Sequence, residues 1–176
     1  RYALLARLDV KGQENLPEAP YLVVSNHRGF CDVLTLTWAA NAEGVSKKLV
    51  LYFPMMGVLG YLGGAVFFDR RKPEERARAK RDTLFQLASG NNMHLYPEGT
   101  RAREGLLRET LHWGLVHAAY EQGVTVVPAG LWGTDDVIPV TNEGVRYGQT
   151  IQARFGTPVL AKDHQTPDAF TEAIWG

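Results

Sequence analysis

Tyr21-Leu22-Val23-Val24-Ser25-Asn26-His27-Arg28-Gly29-Phe30-Cys31-Asp32 is the stretch on which the reading of this chain turns. Four apolar, mostly β-forming residues come first, and residues 25–31 form a polar turn. Asp32 stands in the place of a helix N-cap, ahead of an apolar run over residues 33–41. A strand without polar positions reads as buried on both faces, as in a sheet covered by helices on either side.

The same alternation extends in both directions. Residues 2–10 read as a strand running into the Lys11-Gly12 turn, and residues 15–20 as a proline-bearing loop. Residues 73–89 open with Pro73, Glu74 and Glu75 and continue through Arg76, Arg78, Lys80 and Arg81. Acid first and base later suits a helix dipole, with Leu84, Leu87 and Ala88 as the inner face and the basic run as a solvated one. Residues 93–96 read as a strand, 106–122 as a helix ended by Gly123, and 124–127 as an apolar strand broken by Pro128. Residues 150–155 alternate like a half-buried strand, and 166–175 form a last helix.

Residues 49–68 contain no charge. Their length is that of a membrane span, for which about 18–25 apolar residues suffice. Pro54, Gly57, Gly60, Gly63 and Gly64 interrupt them, however. The expected order is a strand at 49–52, a short apolar helix at 55–62 and a strand at 65–68. Such a helix lies on a bilayer more readily than it crosses one.

These elements predict an α/β fold: a single domain over residues 1–176, with a largely buried mixed sheet flanked by helices. A composition of 45% hydrophobic and 22% charged residues belongs to a folded chain. Lys plus Arg equals Asp plus Glu at 19 each, so no net field draws the chain to nucleic acid. The single cysteine, Cys31, excludes an internal disulfide and a redox CxxC. No signal peptide is read, and Arg1 in the place of methionine suggests a trimmed start.

Three strand ends in succession deliver polar groups, and in α/β sheets ligands bind beyond the carboxyl ends of strands. After the first, His27 and Asp32 are five residues apart. On one continuous helix they would face about 140° apart, so they meet only if the chain turns, which Gly29 permits. Asp32 would then fix the tautomer of His27, freeing the other ring nitrogen to take a proton from a hydroxyl. After the second, Asp69, Arg70 and Arg71 close Gly64-Ala65-Val66-Phe67-Phe68; the arginines suit a phosphate or carboxylate, or a surface ion pair with Asp69. After the third, Leu95-Tyr96-Pro97-Glu98-Gly99-Thr100-Arg101 brings an acceptor, a hydroxyl and a permanent cation onto one turn.

Taken in order, Asn26-His27 through Asp32, Gly64 with Phe67 and Arg70, Pro97-Glu98-Gly99-Thr100-Arg101, and Val127-Pro128 resemble the four blocks of the glycerolipid acyltransferase family, typified by 1-acylglycerol-3-phosphate acyltransferase. The resemblance implies a glycerol-3-phosphate acyltransferase-like fold. It implies an O-acyltransferase moving a fatty acyl group from acyl-CoA or acyl carrier protein to a lysophospholipid hydroxyl. His27 would be the general base and Asp32 its orienting partner. Arg70, Glu98, Gly99, Thr100 and Arg101 would bind the acceptor, the arginines holding its phosphate. It implies no cofactor, no metal and no acyl-enzyme, and work at the cytoplasmic face of a membrane, peripheral or anchored. Met55, Met56, Leu59, Tyr61 and Leu62 are the expected lipid contacts.

One departure stands out. Where family members carry lysine before a glycine, this chain has Leu111-His112-Trp113-Gly114, which leaves room for an acceptor with another head group. Three rival readings remain: Cys31 as a nucleophile assisted by His27, a non-catalytic lipid-binding protein of the same fold, and hydrolysis with water as acceptor.

Overall fold

The computed structural model describes residues 2–3, 6–48, 52, 56–69, 71–101, 111–139 and 144–176. Its strands are β1 (Tyr2–Ala3), β2 (Ala6–Lys11), β3 (Tyr21–Ser25), β4 (Ala42–Lys47), β5 (Val66–Phe68), β6 (Asn92–Leu95), β7 (Thr125–Trp132) and β8 (Gln149–Phe155). Its helices are α1 (Cys31–Ala40), α2 (Met56–Gly63), α3 (Pro73–Ala88), α4 (Gly114–Glu121), α5 (Thr134–Val137) and α6 (Pro167–Trp175). The eight strands form one mixed sheet in the order β1-β2-β8-β7-β3-β6-β4-β5.

The central strand is β3, parallel to β7 on one side and to β6 on the other. All five of its residues are buried. Leu22 and Val24 join Met93, Leu95 and Val126 under α3, α4 and α6, where Leu87, Val116 and Phe170 close the layer. Tyr21 and Val23 join Val127 and Phe155 under α1, against Leu36 and Ala39. Successive side chains alternate between faces, so a strand covered on both sides is apolar at successive positions, here Tyr21 through Val24. Each fully buried Leu or Val in these layers contributes roughly 1.5–3 kcal/mol. Because β3, β6 and β7 run parallel, their carboxyl ends share one edge of the sheet, and the segments after them meet there.

Several expectations need correction. The strand between α1 and α2 is Ala42–Lys47, which the sequence hides because Glu43, Gly44 and Ser46 interrupt its apolar pattern. Residues 49–51 lie outside the described residues, and Tyr52 is in a 3-10 turn rather than a strand. The helix expected over 106–122 begins, among the described residues, at Gly114; residues 111–113 are not helical and 102–110 are not described. Ala88 is exposed, whereas Leu84 and Leu87 face the core as expected, with Ala79 and Thr83 completing the inner face of α3.

Pro128 does not break its strand: β7 continues to Trp132. Proline is tolerated because β8 pairs with β7 only from Ala129 onward, and the Pro128 carbonyl still accepts from the Gly156 amide at 2.8 Å. Among the described residues no helix is long and apolar enough to cross a membrane.

Candidate active site

The loop after β3 folds around one carboxylate. Asp32 is the second residue of α1 rather than its cap; Phe30 holds the N-cap position. From there the side chain reaches back over the turn. Its Oδ2 accepts the backbone N–H of Arg28 at 2.7 Å and of Gly29 at 2.9 Å, and lies 2.7 Å from His27 Nδ1. The His27–Asp32 pair thus forms as the turn allows. The Asp32 side chain is fully buried while that of His27 is 16% exposed, so the orienting group is sheltered and the ring remains reachable. With Asp32 ionised, Nδ1 carries the proton and Nε2 is left as the basic nitrogen.

Three further contacts pin this loop, and each comes from a distant part of the chain. Glu98, almost fully buried, accepts the His27 backbone N–H on Oε1 at 2.9 Å. Asn26 grips the backbone of Leu131 in β7, donating to its carbonyl at 2.9 Å and accepting its N–H at 2.7 Å. Arg28 reaches Asp135 of α5 with Nε at 3.1 Å and Nη2 at 3.0 Å, a bidentate pair that raises the guanidinium pKa through that carboxylate. Gly29 makes this approach possible, since a Cβ there would lie 2.7 Å from the Thr134 carbonyl carbon and oxygen.

The turn after β6 closes with Gly99 in the left-handed region at φ 66°, its N–H donating to the Tyr96 carbonyl at 2.9 Å. Thr100 and Arg101 follow, both half-buried. The structure therefore brings His27, Asp32, Glu98, Gly99, Thr100 and Arg101 to one edge of the sheet. Arg70 lies outside the described residues. Its neighbour Arg71 is exposed and pairs with Asp69, the plain surface ion pair that the sequence allowed.

Tyr96 lies over His27 with ring centroids 4.2 Å apart and planes at 11°. Its other surroundings include a cavity of about 770 Å³ between α3 and the 111–115 segment. Val45, Phe68, Leu95, Leu111, Trp113 and Leu115 make its walls largely apolar, with Gly99 at the site end and Arg76, Lys80 and His112 also lining it. His112 and Trp113, the residues that depart from the family pattern, are thus part of this cavity. The His112 N–H donates to the Pro97 carbonyl at 2.8 Å, and Trp113 packs edge-on against Trp175.

Cys31 does not have the setting of a nucleophile. It is buried in a small cluster with Ala6, Val137 and Ile151, and burial, then Asp32, push its thiol up to about 11. A thiol that keeps its proton at neutral pH is a poor attacking group.

The roles of Asn26, Arg28, Tyr96 and Asp135 were missed in sequence. A signal for the last lay in the polar turn Gly133-Thr134-Asp135-Asp136, but it follows a strand only because β7 runs on past Pro128 to Trp132, which the sequence does not show.

A histidine oriented by a buried aspartate, at the carboxyl edge of a helix-covered mixed sheet and beside an apolar cavity, defines a class of site suited to activating a hydroxyl for an apolar substrate. The acyltransferase family model matches residues 7–132, and the chain belongs to that family. It is 31% identical over 142 residues to a chloroplast 1-acyl-sn-glycerol-3-phosphate acyltransferase of Arabidopsis thaliana, covering 79% of this chain and 40% of the relative. It is 32% identical over 131 residues to a lyso-ornithine lipid O-acyltransferase of Pseudomonas aeruginosa, covering 74% of this chain and 50% of the relative. The crystal structure of the 1-acyl-sn-glycerophosphate acyltransferase of Thermotoga maritima superposes with a TM-score of 0.79 at 26% identity, over 96% of this chain and 69% of that one. The chain spans half or less of the length of these two curated relatives.

Proposed function

We propose that this chain transfers a fatty acyl group from the thioester of acyl-CoA or acyl carrier protein to the hydroxyl of a lysophospholipid such as 1-acylglycerol-3-phosphate. The observation that carries the reading is the 2.7 Å contact of His27 Nδ1 with the buried carboxylate of Asp32. His27 Nε2 takes the proton of the acceptor hydroxyl as its oxygen attacks the thioester carbon. The C–S bond then breaks, the thiolate takes the proton back from the imidazolium, and an ester and a thiol leave. A thioester is already activated, so positioning and deprotonating the alcohol are the main tasks.

Arg101, which makes no ion pair among the described residues, holds the acceptor phosphate together with Arg70; Gly99 and Thr100 shape the turn beneath it. Glu98 acts through the His27 amide that it accepts. The apolar cavity takes an acyl chain. The protein works peripherally or anchored at the cytoplasmic face of a membrane. Tyr61 and Leu62 of α2, exposed at 68% and 75%, support lipid contact there. Met55 lies outside the described residues, as do the side chains of Met56 and Leu59. Flotation on anionic liposomes that is unchanged by Tyr61→Asp with Leu62→Asp would refute that contact.

A second acceptor reading has its own support. His112 and Trp113 place no permanent cation at their stretch of the cavity, and one relative is a lyso-ornithine lipid acyltransferase. The test is a transfer assay with long-chain acyl-CoA and acyl carrier protein donors. The acceptors are 1-acylglycerol-3-phosphate, glycerol-3-phosphate, lyso-ornithine lipid and water, each run with wild type and His27→Ala. Ester formed by wild type and abolished by the alanine variant supports the reading. Absence of ester with every donor and acceptor favours the lipid-binding alternative, and free fatty acid as the product favours hydrolysis.

A further inference from the structure

Among the described residues the His27 ring makes one hydrogen bond, from Nδ1 to Asp32. A single bond of that kind leaves the imidazole free to rock about the N···O axis, and that rocking would swing Nε2 away from a substrate. A second constraint, on the face of the ring, is needed to hold its plane. Tyr96 is placed to give it: the two rings are stacked at 4.2 Å and nearly parallel.

His94 backs Tyr96 in that stack. The Tyr96 ring meets it edge-on, with centroids 5.3 Å apart and planes at 63°. His94 is fully buried and lies against Gly44, where a Cβ would fall 2.9 Å from the His94 ring. From β4 through β6 to the loop after β3, Gly44, His94, Tyr96 and His27 thus form one packed row. The Tyr96 hydroxyl is buried and has no hydrogen-bond partner among the described residues, and burial raises its pKa well above the usual phenol value. The hydroxyl therefore keeps its proton at neutral pH, and the ring face is the part that meets His27.

We infer that Tyr96 is a positioning residue for the transfer reaction, its ring face fixing the plane of the His27 imidazole and stabilising the positive charge that His27 gains in the transition state. The inference rests on the proposed role of His27 as base. An imidazolium over an aromatic face gains a cation–π attraction that neutral imidazole lacks, so the contact strengthens as the proton moves. Nothing in the Pro97–Arg101 motif points to the residue before it, and only the stack does so.

The experiment compares kcat and KM for both substrates in wild type, His27→Ala, Tyr96→Leu and Tyr96→Phe, with circular dichroism and thermal melting as checks of fold. For Tyr96→Leu the expected result is a kcat lower by about tenfold to thirtyfold with each KM within about threefold. Tyr96→Phe, which keeps the ring face, restores kcat to within about threefold of wild type. If Tyr96→Leu does not fold, Tyr96→Met, similar in bulk and without a ring, takes its place. If neither folds, the proposal stands or falls on whether Tyr96→Phe keeps its activity. The inference is overturned if the ringless variant keeps its kcat, if Tyr96→Phe loses as much as that variant does, or if the loss lies in KM, which would make Tyr96 a cavity wall alone. Activity surviving in His27→Ala would overturn the base itself, whereas an inactive His27→Ala beside an active Tyr96→Leu would overturn only the role of Tyr96.

Discussion

Asp32→Asn isolates what charge contributes to this site. All three donors around Asp32, namely His27 Nδ1 and the amides of Arg28 and Gly29, converge on Oδ2. Oδ1 is buried with no hydrogen-bond partner among the described residues. An asparagine whose oxygen takes the Oδ2 position keeps all three contacts and loses only the negative charge. The charge matters when His27 becomes an imidazolium. With the charge centres about 4 Å apart and an effective dielectric of about 20, the lost attraction is about 4 kcal/mol. That corresponds to a kcat lower by about a thousandfold, with KM little changed because the substrate does not meet Asp32. The new amide group has no acceptor at the Oδ1 position, so stability should also fall, by about 1–3 kcal/mol. Steady-state transfer rates with thermal melting separate the two effects. A kcat within tenfold of wild type, or a loss that appears mainly in KM, would refute the argument that Asp32 works by stabilising a charged His27.

Other outcomes follow from single contacts. Cys31→Ala should keep most of the activity, and the wild-type thiol should resist iodoacetamide at pH 7.5, because burial holds it near 11; loss on a par with His27→Ala would restore the nucleophile. Burial pushes His94 down to about 3, so the folded chain keeps it neutral where the unfolded chain takes up a proton near 6.5. Stability is therefore lost as pH falls from about 6.5 toward 3, and His94→Gln should unfold less steeply over that range in a melting series. Asn26→Ala should cost about 2 kcal/mol by stripping both backbone partners from Leu131, lowering the melting temperature by about 4–8 °C; an unchanged melt would show that the grip is idle.

The elements that the sequence reveals are those whose burial is written locally. The apolar run of β3 and the acidic start and basic continuation of α3 each declare their element without help from a partner. Ala42–Lys47 does not, since a strand carrying Glu43, Gly44 and Ser46 holds its place only because β6 and β5 pair with it on either side. Pro128 misleads for the same reason: whether a missing N–H breaks a strand depends on whether a neighbour is there to receive it.

The candidate site divides along the same line. The residue pattern alone marked His27, Asp32 and the Pro97–Arg101 turn, because polar groups crowding the end of an apolar strand are a local signal. Five residues of separation also sufficed to say that His27 and Asp32 meet only through a turn. Tertiary structure decided which distant groups complete them. With β3 lying between β6 and β7, Glu98 reaches the His27 amide and Tyr96 its ring from one side, while Leu131 and Asp135 hold Asn26 and Arg28 from the other. Strand order is set by how the whole set of apolar faces packs together, and no window of sequence contains that.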